Sequence, residues 1–252
     1  MPAPADRRRA AAAALLLAGA VLAGCGADPA PGADAGLPQG DEAVDLDPAD
    51  FTVDITNRWW PMAPGDRWVY QETDGEGGVA RVEVSVLDET YTVASGIEAR
   101  VVHDVVSQDG AVVEDTLDWY AQDAEGNVWY LGEQTAEYEN GQVVSTEGSW
   151  EAGVDGAQPG IAIPAEPRAG VAYRQEYLAD EAEDAAVVLS TDEQVQTTTG
   201  TYTGVLMTRE TTPLEPDVAE LKFYAPGVGQ VLTVQISGGS GREDLVETTR
   251  TG

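Results

Sequence analysis

Ala80, Val82, Val84 and Val86 alternate with Arg81, Glu83 and Ser85 in strict period two, the repeat of a strand with one buried face. The same alternation sets Leu117, Trp119 and Ala121 against Thr116, Asp118 and Tyr120. A third run sets Leu232, Val234 and Ile236 against Thr233 and Gln235. Between such runs stand Asp74-Gly75, Ser95-Gly96, Asp109-Gly110, Gly126-Asn127 and Asn140-Gly141, all dipeptides that favour hairpin turns. Near the C-terminus, Pro226 cannot donate to a ladder and Gly227 and Gly229 permit positive φ, so a strand stops at Tyr224-Ala225, turns and restarts. Two stretches depart from this texture. Leu178 to Val187 is rich in Ala and Glu and predicts one short helix. Gly153 to Gly170 holds four Gly and three Pro and predicts a long loop. The pattern as a whole predicts an all-β chain: a single domain of curved antiparallel sheet, a half-barrel or open barrel, with one short helix.

The N-terminus follows other rules. Arg7, Arg8 and Arg9 precede an apolar stretch from Ala10 to Gly24, the layout of a signal peptide and too short for a transmembrane helix. Its end, Leu22-Ala23-Gly24-Cys25, closely resembles the lipobox of bacterial lipoproteins. That resemblance implies cleavage before Cys25, a diacylglycerol on its thiol, and acylation of the new amine. It places the protein on the extracytoplasmic face of a cell membrane, its partner through the lipid anchor; two or three acyl chains hold where one is marginal. From Gly26 to Thr56 come eight acids, four prolines and no Lys or Arg, a composition expected of a disordered, self-repelling tether. The expected organisation is therefore signal peptide 1–24, lipidated Cys25 with acidic linker 25–56, and β domain 57–252.

Composition narrows the function. Forty-five acids against thirteen bases give a formal charge of −32, which excludes a nucleic-acid binder because phosphate recognition needs clustered cations. With one cysteine and one histidine in all, neither an intrachain disulfide, a Cys/His zinc site nor a Cys–His nucleophile pair can be built. No cofactor and no metal site is expected. The single lysine, Lys222, against twelve arginines fits a GC-rich bacterial host better than a halophilic archaeon.

Four segments, Asp118 to Glu133, Ser149 to Ile161, Tyr173 to Tyr177 and Lys222 to Val231, together resemble a family of uncharacterised exported bacterial lipoproteins. No activity is attached to that family, so the resemblance assigns no catalytic residue. In architecture the paired strands are also loosely similar to half-barrel lipid carriers of the lipoprotein-carrier type.

The remaining signals are aromatic and acidic. Trp59 and Trp60 follow the linker and are expected to plug one end of the barrel. Trp68 stands apart, while Trp119, Trp129 and Trp150 fall in one aromatic-rich stretch and are the candidate ligand-binding residues, suited to an apolar or saccharide ligand. The acids beside them, Asp118, Asp123, Glu133 and Glu151, are candidates for paired-carboxylate chemistry. Asp123 to Glu133 fails the EF-hand spacing and reads as a hairpin turn. His103 shares a strand face with Val101 and Val105 and is expected to be a packed core residue; no G-x-S-x-G elbow accompanies it. The leading class is a non-enzymatic binding or envelope-accessory module. Alternatives are a carboxylate-dependent hydrolase of an envelope polysaccharide and a partner of a membrane sensor.

Overall fold

The fold is that of a computed structural model, which describes residues 36–251. A one-turn 3-10 segment, Pro48–Asp50, leads into the two-residue strand β1 (Phe51–Thr52). A five-stranded meander follows: β2 (Arg67–Thr73), β3 (Val79–Thr92), β4 (Glu98–Gln108), β5 (Ala111–Asp123) and β6 (Val128–Glu139). The free edge of β6 is then covered piece by piece by β7 (Gln142–Ser145), β8 (Trp150–Glu151) and β9 (Gln158–Ile163). After β10 (Ala172–Arg174) and β11 (Glu176–Tyr177) comes a second meander of β12 (Ala185–Thr197), β13 (Gly200–Thr211), β14 (Ala219–Ala225), β15 (Gly229–Ser237) and β16 (Arg242–Thr249). β16 pairs with β2, so the last long strand and the first are neighbours and the two meanders form one antiparallel sheet.

The sheet comes close to closing on itself through one short stretch. β10 pairs with β12, and β11, just beyond Gln175, pairs with β9. The kink is fixed by the Gln175 amide, which donates to Asp184 O at 2.7 Å. Opposite it lies Gly160, where any Cβ would overlap the backbone of Gln175, so only glycine lets the two edges meet. The result is a nearly closed barrel-like sheet, the all-β antiparallel architecture the alternation predicts.

The hairpin dipeptides all stand at strand junctions, and Asp109-Gly110 and Asn140-Gly141 both show the paired positive φ of a two-residue turn. Ala225 and Gly229 pair across the expected β14–β15 turn. Residues 57–66 cross that end of the barrel. Asn57 donates to Gly126 O and Pro164 O, Gly227 N donates to Arg58 O, and the Trp60 ring lies 5.4 Å from Tyr120 and 5.9 Å from Tyr224. This is the end plug expected of Trp59-Trp60. Trp68, fully buried, donates its indole N–H to Val228 O at 2.7 Å beneath the same turn.

Three expectations are overturned. Leu178 to Val187 is not a helix: Leu178 and Ala182 form an isolated bridge about a turn with Asp180 at φ +66°, and β12 begins at Ala185. A ten-residue helix is marginal by propensity alone, whereas Ala186 and Val188 gain full burial by pairing with β13. Gly153 to Gly170 is not wholly loop, because it contains β9, whose Ile161 and Ile163 are completely buried against β6. The acidic linker, as far as it is described, is not a free tether but part of the domain. Leu37, Val44, Leu46 and Phe51 pack on the core, and β1 pairs with the end of β5. Arg174, buried at the closing seam, fastens this strap through its guanidinium, donating to Gly40 O at 2.8 Å and Glu42 O at 2.7 Å. Cys25 and the first part of the linker lie outside the described residues.

Candidate functional site

The barrel encloses polar space. On β4 the side chains that line it are Val102, Asp104 and Val106; on β5 they are Glu114, Asp118 and Tyr120; on β15, Thr233 and Gln235. The more polar half of two of the expected alternations therefore points inward. The chamber they line has a volume of about 520 Å³. Its deep wall carries Tyr70, Val102, Asp118 and Tyr120, all buried. Its rim, at the end opposite the Trp60 plug, carries the exposed Glu72 and Arg242. A second space of about 260 Å³ adjoins it, sharing Trp60, Tyr120, Lys222 and Gln230 in its lining and adding Glu133, Glu176, Asp184 and Glu210.

Six carboxyls face the larger chamber (Glu72, Asp104, Glu114, Asp118, Glu220 and Glu243) against two cations, Lys222 and Arg242. Both cations are engaged elsewhere. Lys222 Nζ lies 2.9 Å from Glu210 Oε2, and Arg242 pairs with Asp244, Nη2 to Oδ1 at 2.7 Å. Buried acids without a cation shed their charge rather than bear it. Desolvation pushes the Asp118 carboxyl up to about 7 and that of Glu243 to about 7. Asp104 is raised well above its ordinary value, first by desolvation and then by the charge of Asp118. Its Oδ1 is a buried atom with no hydrogen-bond partner, and the buried indole N–H of Trp60 is likewise unpaired.

Between the two spaces stands a proton-sharing contact. Tyr130 Oη lies 2.7 Å from Asp118 Oδ1 and 2.9 Å from Glu133 Oε2. A phenol has one hydrogen and donates to one carboxylate; the other contact is a hydrogen bond only when that carboxyl is protonated and donates to the phenol oxygen. Burial raises both carboxyls, and Glu133 the further. Desolvation, reinforced by the charge of Asp118, pushes it up to about 8. Beyond it Glu176, also raised well above its usual value by burial, accepts the Trp150 indole N–H at 2.8 Å.

No protein family and no curated protein matches this sequence. Among solved structures, the chain is similar to a "putative lipoprotein" from Parabacteroides distasonis ATCC 8503, with 14% identity over 77% of this chain and 99% of that one and a TM-score of 0.43. At that level the likeness assigns neither a site nor an activity.

The structure separates the residues singled out in the sequence. Trp119 and Trp150 border one groove of about 610 Å³ on the outer face of the sheet, together with Leu87, Tyr91, Leu117 and Val154. Tyr91 stacks on Trp119 with ring centroids 4.4 Å apart, so Trp119 is itself covered. Trp129 is elsewhere, edge-on to Phe51 and donating to Asp123 Oδ2 at 2.8 Å. We expect Trp129→Phe to lower stability by about 1–2 kcal/mol in a thermal melt and to leave ligand binding intact. An unchanged melt with lost binding would make Trp129 a ligand residue after all. Asp123 spends its carboxylate on the hairpin, accepting from Glu125 N, Asn127 N and Asn127 Nδ2. Glu151 accepts from Ala94 N and the Tyr91 hydroxyl. Asp118 and Glu133 are brought together through Tyr130, and Glu133 and Glu151 both border the outer groove.

His103 is not in the core. Its side chain is 34% exposed on the outer face, 3.0 Å from Asp115, while Asp104 beside it takes the inward place. Sequence reasoning missed Asp104, Glu243, Glu176 and Tyr130. One signal was available for Lys222: a lone lysine in a chain that otherwise uses arginine.

Proposed function

We propose that this is a lipid-anchored, extracytoplasmic binding protein that holds a small polar ligand inside its barrel. The observation that carries the reading is the acid-lined chamber of about 520 Å³, a volume in the range of small-molecule sites. The lining is polar and an apolar ligand would leave Asp104 Oδ1 without a donor, so the ligand is polar, and the expectation of an apolar one gives way. Hydrolysis through Asp118 and Glu133 is less well supported, because the Tyr130 hydroxyl already occupies the gap between them.

The anchor rests on Leu22 to Cys25. Ten residues lie between Cys25 and Gly36, the first described residue, and a chain of that length spans at most about 35 Å. The barrel would thus sit close to the membrane surface. Replacing Cys25→Ser should move the protein from the membrane to the soluble fraction with its melting temperature unchanged; a variant that stays with the membrane would rule out the lipid anchor. Native mass spectrometry of protein released from host membranes should show a bound small molecule. An empty barrel in every preparation, with no polar solute raising its melting temperature, would remove the binding function.

A further inference from the structure

We infer that the larger chamber binds a small organic cation, an alkyl amine or diamine, in exchange for protons held by its carboxyls. The inference rests on the reading of the chamber as the ligand site and names the ligand's chemistry. The first reason is the distribution of charge around the wall. β2 contributes Glu72, β4 Asp104, β5 Glu114 and Asp118, and β16 Glu243 beside Arg242. β14 contributes Glu220 and Lys222. With Lys222 paired to Glu210 and Arg242 to Asp244, none of the six carboxyls forms an ion pair among the described residues, although the charge of Lys222 reaches Glu220 and Glu243.

The second reason is Asp104. Its Oδ1 is a buried atom that accepts no hydrogen bond, and the side chain lines the chamber. A buried acceptor of this kind is completed by a donor, and an ammonium group offers three. The third is the rest of the lining. Val82, Val84 and Val102, with the rings of Trp60, Tyr70 and Tyr120, cover methylenes and favour a cation over an aromatic face.

The exchange balances. A carboxylic acid O–H in the wall breaks and its proton passes to solvent; the carboxylate left behind accepts an ammonium N–H from the ligand. The charge inside the barrel is the same before and after when one proton leaves for each ammonium that enters, two for a diamine, which is why a cation enters a buried acidic space without a matching anion.

The test uses the mature lipid-anchored chain in detergent, at physiological ionic strength so that loose attraction to its surface charge is screened. Calorimetric titration with 1,5-diaminopentane at pH 6, 7 and 8, in two buffers of different ionisation heat, reads affinity and protons together. We expect affinity to rise by up to tenfold per pH unit for each proton released, with a matching buffer-dependent heat. The neutral isostere 1,5-pentanediol should not bind. Asp104→Asn should weaken the diamine at least tenfold while the protein still melts cooperatively, and Asp115→Asn, on the outer face, should change nothing. Binding that ignores both pH and Asp104→Asn overturns the inference as surface attraction. If pentanediol or maltose binds and the diamine does not, the chamber remains the ligand site and only the cation is wrong. If none binds and no small molecule co-purifies, the binding function falls with it.

Discussion

The melting temperature should fall by on the order of 10 °C between pH 5 and pH 8, the reverse of the usual behaviour of an acid-rich surface. Asp118, Glu133 and Glu243 have folded-state values pushed up to about 7, 8 and 7, while in the unfolded chain they return to ordinary carboxylate values near 4. Over that interval the folded protein holds protons that the unfolded chain releases. Their stabilising contribution is complete in acid and is lost as pH rises through the folded values. Moving Asp118 from 3.8 to about 7 corresponds to about 4 kcal/mol, and the coupled set to several. One kcal/mol shifts a domain of this size by roughly 2–4 °C. Asp74 and Glu83 work in the opposite sense, the first held low by backbone N–H groups and the second by Arg67, so their contribution is lost as pH falls rather than as it rises. Glu133→Gln should flatten the curve and raise stability at pH 8, since its amide still bonds Tyr130 and carries no charge. A melting temperature that rises or stays level from pH 5 to pH 8 would mean that these acids are ionised and compensated in the folded barrel.

Arg174→Ala should destabilise the protein by about 3 kcal/mol and expose residues 36–50 to protease. The side chain is 2% exposed, and its guanidinium donates to Gly40 O, Glu42 O and, at 2.7 Å, Pro159 O. It joins the N-terminal strap to β9 at the seam where the sheet closes. Removing it leaves carbonyls without donors at about 1–3 kcal/mol each, relieved in part when the strap lifts and water reaches Gly40 and Glu42. Arg174→Lys should recover less than half of the loss, because one ammonium cannot reproduce a planar fork of donors. Limited proteolysis followed by mass spectrometry would locate the cut, and a melt would give the stability. A variant that melts like the wild type, with its strap still protected, would show that Pro38 O, which accepts from the Arg174 amide, and the apolar contacts of Leu37 and Phe51 suffice.

The strand meander and its turns were legible in the sequence because they are local. Asp109-Gly110 and Asn140-Gly141 adopt the left-handed backbone their residue types allow, and the Val82–Val84–Val86 face does point inward. The acidic strap was not legible. Its sparse apolar residues, Leu37, Val44, Leu46 and Phe51, look like spacer composition until a barrel wall exists for them to cover. The helix expected at Leu178 to Val187 failed for the same kind of reason: the strand partner that outbids local propensity lies about twenty residues further on, in β13.

What the sequence alone determined was the alternation along the meander strands and the places where they turn. The chemistry of the site was decided by the tertiary structure. Period two says that successive residues on β5 face opposite ways; it does not say which way is in. Because a polar chamber fills much of the barrel, Asp118 and Tyr120 point to its centre and Leu117 and Trp119 to an outer groove. A carboxyl's affinity for a proton depends on how much water closure of the sheet removes and on which charges other strands bring near. Asp118 and Glu133 are partners across β5 and β6, with Asp104 on the next strand, but the curvature of the nearly closed sheet is what brings Glu243 on β16 toward them.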